Sequence, residues 1–179
     1  MYSKYIKVKI LKKGFTLIEL LIVIAILGVL AVVVLVAINP LEQLAKTRDA
    51  GRQSSVSQIG HAVQAYYTSQ NAVYPPTGTW NTVLTASGEL SAMPAAVTAT
   101  GYTACAGPAG SPVNGTWCYN MTAASGAVIY ARLESKAQTS KCTSPAVPYS
   151  LYSTADGRGG VVCAAAGATL VPGTAWTFL

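Results

Sequence analysis

From Leu20 to Ile38 the chain is apolar at every position, LLIVIAILGVLAVVVLVAI, with no charge and no polar side chain. As a helix rising about 1.5 Å per residue, this run is roughly 29 Å long, close to the hydrocarbon thickness of a bilayer. The pattern changes after Asn39-Pro40. Leu41 and Leu44, then Val56, Ile59, Val63 and Tyr66 or Tyr67, recur at three- and four-residue spacing. That period predicts an amphipathic helix reaching about Gln70. The intervening AKTRDAGRQSS is polar and reads as a segment outside the membrane. Asn39, Pro40 and Glu42 offer either a fresh helix start, with Asn as cap and Pro at the first position, or a kink in one long helix. The helix ends in NAVYPPTGT, residues 71–79, with two prolines and a glycine. A short helix is expected within Trp80–Leu90, with Trp80, Val83 and Leu84 inward. An exposed connecting loop should follow, as far as the first strand.

Period two takes over in the second half. Thr116–Thr122 places Trp117, Tyr119 and Met121 on one face. Ala127–Glu134 places Ala127, Ile129, Ala131 and Leu133 on one face, and Arg132 and Glu134 on the other. Tyr149–Thr154 and Gly160–Cys163 flank Asp156-Gly157, a hairpin turn signal. Alternation of this kind predicts an antiparallel sheet of about four strands with one buried face. The fold class is therefore α+β: a long N-terminal helix, transmembrane and then amphipathic, packed on a C-terminal antiparallel sheet.

Charge adds an orientation. Lys4, Lys7, Lys9, Lys12 and Lys13 precede the apolar run with no acid among them. Basic flanks stay cytoplasmic, which sends everything after Ile38 outward. The formal charge of +6 belongs mostly to this flank. Residues beyond Gly14 hold seven bases, Lys46, Arg48, Arg52, Arg132, Lys136, Lys141 and Arg158, against all six acids. A near-neutral remainder does not indicate a nucleic-acid partner. The apolar run exceeds the 7–15 residues usual in a secretory signal peptide, and no good small-x-small cleavage site follows it.

Glu19 stands at the mouth of the apolar run, where a carboxylate is costly without a partner. With its neighbours Gly14-Phe15-Thr16-Leu17-Ile18, a basic leader before and an apolar helix after, it resembles the prepilin signal of type IV pilins and type II secretion pseudopilins. The resemblance covers about the first third of the chain and suits a pilin-like fold. It implies cleavage between Gly14 and Phe15 by a membrane aspartic peptidase, then methylation of the new Phe15 amine. That amine has a reference pKa near 8 and is largely cationic at neutral pH. It arises one helical turn from Glu19, so the two form a candidate pair for setting register between subunits. The organisation expected is a cleaved cytoplasmic leader, 1–14; a transmembrane or filament-core helix, 15–38; the extracytoplasmic half of the helix, 39–74; and a β-rich head with connecting loops, 75–179.

Gly28 and Pro40 are the expected helix-break positions. Gly28 also belongs to a small-residue ridge with Ala25 and Ala31, which lets membrane helices approach closely. Many members of the family carry a helix-breaking proline at what is Val36 here. Cys105, Cys118, Cys142 and Cys163 lie on the outer side, where disulfides persist. Four cysteines allow three pairings, and Cys105–Cys118 with Cys142–Cys163 is favoured because each closes a short loop. No C-x-x-C spacing points to zinc. His61 and six scattered acids compose no catalytic constellation, so neither enzyme activity, metal nor cofactor is expected. Asn114 and Asn120 match the N-glycosylation pattern by letter. Three roles follow from the resemblance: subunit of a type IV pilus for adhesion, twitching motility or DNA uptake; pseudopilin of a type II secretion system; and minor or tip pilin that binds DNA or a surface. Each implies a homo-oligomeric helical filament, the prepilin peptidase/methyltransferase, an assembly machinery in the membrane, and lipid as partners. Each also implies a single-pass cytoplasmic-membrane store before the surface filament or periplasmic pseudopilus.

Overall fold

The structure, a computed structural model, describes residues 14–97 and 117–179. Cys105, Asn114 and most of the expected connecting loop lie outside them. The chain divides into two compact units, one ending at Pro40 and the other running from Leu41 to Leu179.

The first unit contains helix α1, Leu17–Ile38. Every residue of α1 is exposed, including Ile24, Leu27, Val32 and Leu35. Beyond Glu19 the helix is apolar all round, the composition of a helix that is buried or spans a membrane. Among the described residues it is the one helix long and apolar enough to cross a membrane. Gly28 was an expected break, but α1 runs through it without interruption. One glycine costs about 1 kcal/mol in a helix interior, too little to open a run of this length. The break falls at Asn39, whose φ of 46° is left-handed, and helix α2 then starts at Pro40.

In the second unit α2, Pro40–Ser69, supplies the helical layer. Helix α3 (Trp80–Ala86) follows, then strands β1 (Cys118–Thr122) and β2 (Gly126–Arg132), the single turn α4 (Lys136–Thr139), and strands β3 (Ala146–Ser153) and β4 (Arg158–Ala165). The sheet order is β1-β2-β3-β4 and every pairing is antiparallel. Gly157, at φ 63°, supplies the left-handed residue in the turn from β3 to β4.

One sheet face receives α2. Val56, Ile59, Ala62 and Val63 pack with Trp117, Tyr119, Ala127, Ile129, Ala131 and Tyr152, and α3 adds Trp80 and Leu84. The helix comes so close at Gly60 that an added Cβ would overlap the Tyr152 ring. Trp80 stacks on Tyr119 at 5.2 Å between centroids. Two buried polar tips find partners: Trp117 Nε1–H donates to the Pro94 carbonyl at 3.0 Å, and the Tyr119 hydroxyl to the Pro75 carbonyl at 2.8 Å. Burial pushes the Tyr119 phenol well above its ordinary pKa.

The other face corrects the expectation of a sheet buried on one side. Cys118, Val128, Tyr130, Tyr149, Leu151, Val162 and Leu170 form a second buried cluster. Its cover is the segment after β4, through Ala168, Trp176 and Phe178. The last residue is tied in as well, Leu179 N–H donating to the Val161 carbonyl at 2.9 Å. The physical reason is visible in β2: Ala127–Ala131 is apolar at every position, the signature of a strand covered on both faces.

Candidate functional site

At the N-terminal junction, Gly14 and Phe15 precede the helix and are exposed, Phe15 at 78%. Among the described residues, its chain neighbours apart, none comes within 4 Å of where a Gly14 side chain would begin. The peptide bond between them is thus open backbone, free of helical hydrogen bonding. Thr16 is the N-cap of α1 and Glu19 its third residue. The Thr16 hydroxyl accepts from Glu19 N–H at 3.3 Å, and the Glu19 carboxylate accepts from Thr16 N–H at 2.9 Å. The Thr16 hydroxyl also donates to Glu19 Oε2 at 2.7 Å. This is a reciprocal capping box, which satisfies donors that a helix start leaves open. With the Phe15 nitrogen an amide, as here, Glu19 is held by Thr16. Thr16 had no role in the sequence reading, although T-x-x-E before an apolar run is the signature of such a box.

A family model for the prokaryotic N-terminal methylation motif matches residues 11–35. The chain carries the type IV pilin and pseudopilin signal. No curated protein and no solved structure matches the chain.

The motif lies at the start of α1, and the head has an arrangement of its own where α2 meets the segment after β2. Asp49 and Arg52 are fully buried, and Arg52 Nη1 donates to Asp49 Oδ1 at 2.9 Å and to Glu134 Oε1 at 3.0 Å. Arg48 Nε reaches the same Glu134 oxygen at 2.5 Å. The rest of the Arg52 guanidinium donates to the Val97 carbonyl at 3.1 and 2.9 Å. Asp49 in turn accepts from the backbone N–H of Glu134 and Ser135, at 2.9 and 2.8 Å. At the next two residues, which open α4, the Glu42 carboxylate accepts from Lys136 and Ala137 N–H, at 3.1 and 3.2 Å. Four successive amides are thus gripped by two carboxylates of α2, and two arginines neutralise the buried acids. The polar stretch read as lying outside the membrane is thus partly interior to the head. The signal was present: Asp49 and Arg52 continue the Val56, Ile59, Val63 spacing backwards.

Burial pushes the Glu134 carboxyl up, but the hydrogen bonds and charges of Arg48 and Arg52 outweigh it and hold the group below its ordinary range. The same contact raises the Arg48 guanidinium. An unfolded Glu titrates near about pH 4.3. A depressed folded value means that this stabilisation is complete above about pH 5 and is lost as pH falls through the folded value, below about pH 4. Urea unfolding at stepped pH should show the head weakening over that acid window, and Glu134→Gln should flatten the slope. An unchanged slope in the variant contradicts this assignment.

Cys142 and Cys163 are joined, tying the segment after α4 to β4 across 21 residues. Cys118 is also in a disulfide; its expected partner, Cys105, lies outside the described residues. In the chain-entropy model a loop of this size contributes about 3 kcal/mol. The double variant Cys142→Ser, Cys163→Ser should therefore unfold at clearly lower urea concentration, with the Cys118 disulfide intact. An unshifted midpoint would mean that the bond adds no stability. Asn120, the second glycosylation-pattern residue, donates its side-chain amide to the Leu170 carbonyl at 3.2 Å, so a glycan there would cost a contact of the fold.

Proposed function

We propose that this chain is the structural subunit of a type IV pilus, stored in the cytoplasmic membrane as a prepilin with its N-terminus inside. A membrane peptidase cuts between Gly14 and Phe15, and methylation of the Phe15 amine follows. The observation that carries the reading is the methylation motif on a helix with no buried residue. Such a helix needs lipid around it first and neighbouring subunits afterwards. Glu19 then exchanges its Thr16 contacts for the Phe15 amine of an adjacent subunit, which sets the axial step of the filament. Removal of the leader creates that amine and removes the five lysines together. The head presents an Ala-, Thr-, Ser- and Gly-rich surface and carries a disulfide, both suited to an exposed fibre. The role is structural, without catalysis.

Electron microscopy of sheared surface material, with an antibody to the head, tests the reading. Abundant thin labelled fibres are expected. Absence of fibres, with a secretion defect on deletion of the gene, would replace the pilus by a secretion pseudopilus.

A further inference from the structure

The first two turns of the head's long helix are held in a different way from the rest. From Val56 onward α2 is fastened by apolar packing against the sheet. Between Leu41 and Arg48 the one buried residue is Ala45, which lies outside both core clusters, and Leu41 and Leu44 are exposed. Among the described residues, what holds this stretch is polar: Glu42 on the amides of Lys136 and Ala137, and Arg48 on Glu134. Asp49, on the amides of Glu134 and Ser135, marks where buried attachment begins. Local stability follows buried contact, and helical turns held by a few partly exposed hydrogen bonds open without global unfolding.

We propose that residues 41–48 form a releasable strap, which the Glu42 and Arg48 contacts keep closed on the head and which opens as a unit while the core from Val56 onward stays folded. The eight residues span about 12 Å as helix and about 26 Å extended, so opening adds about 14 Å of reach between the membrane helix and the folded core. A head anchored by one helix gains by this a way to yield to a pull, or to adjust its position, without losing its packing. Whether the filament is a pilus or a pseudopilus does not enter the argument.

Hydrogen exchange of the full chain in detergent micelles, followed by mass spectrometry of peptic fragments, tests the strap. In the wild type, fragments covering 41–48 should exchange faster than those covering 56–63. Glu42→Ala, which removes the grip while keeping a good helix former, should speed exchange over 41–48 about tenfold and leave 56–63 unchanged. Lys46→Ala, on the same stretch but outside the clamp, should change neither. If both regions accelerate together in Glu42→Ala, the helix and core are one cooperative unit and the strap does not exist. Unchanged exchange over 41–48 in that variant is equally contrary, since the grip then holds nothing.

Discussion

Glu19→Leu should yield a chain that enters the membrane and is cut at Gly14–Phe15, yet forms no filament. The substitution removes the capping box with Thr16, worth about 1 kcal/mol at a helix start, which is too little to unfold α1. The large effect comes later. Each incoming subunit would bury the Phe15 amine among apolar helices with no carboxylate to meet it. Leaving one partner of a buried pair alone costs about 3–5 kcal/mol. Per subunit added, that corresponds to a loss in association constant on the order of 10² to 10⁴. Repeated along a fibre, it ends assembly. Immunoblotting of the sheared and membrane fractions reads both halves of the expectation: mature-length chain in the membrane, none in the sheared material. Filaments at normal yield would remove Glu19 from any part in register. Glu19→Gln separates the two roles of the side chain, because it keeps an acceptor for Thr16 and loses the charge. It should assemble as poorly as the leucine variant.

Arg52→Met should be the most destabilising single change in the head. Arg52 is wholly buried and satisfies Asp49, Glu134 and the Val97 carbonyl together. Methionine fills much of the volume but leaves the Asp49 carboxylate buried with only backbone donors. The cost expected is about 3–5 kcal/mol, against a total stability of about 5–15 kcal/mol for a domain. A double variant, Arg52→Met with Asp49→Leu, should recover only part of the loss, because the amides of Glu134 and Ser135 then lack their acceptor. The urea midpoint of the full chain in detergent reports both. A shift under about 1 kcal/mol for Arg52→Met would mean that the buried cluster contributes shape and not stability.

The parts of this fold readable from the chain are those where a period or a motif repeats. The apolar run predicts α1, the spacing of Val56, Ile59 and Val63 predicts the face by which α2 meets the sheet, and alternation in 117–121 and 127–131 predicts which residues face the helix. Two features escaped for physical reasons. Residues 166–179 have no period, so nothing marked Leu170, Trp176 and Phe178 as the cover of a second face; the continuous apolar run in β2 was the only hint. Arg48, Asp49, Arg52 and Glu134 are charged, and charge on a helix outside a membrane usually means solvent. Here opposite charges lie one turn apart on the buried stripe, and mutual neutralisation lets them stay there. At the N-terminus, Gly14, Phe15 and Glu19 stood out because a chemical signal depends on spacing alone. The capping role of Thr16 is legible in the same way, from the T-x-x-E spacing ahead of the apolar run.

Cleavage and methylation at Phe15 are both written in the covalent state of the N-terminus. Intact-mass and N-terminal fragment spectra of the chain, purified from membranes of cells that contain the prepilin peptidase, measure it directly. The spectra should show a chain beginning at Phe15 with a methyl group on its amine, and no Met1 to Gly14 peptide attached. A chain that still begins at Met1, or one cut beyond the apolar run near Ala37, would contradict the central claim.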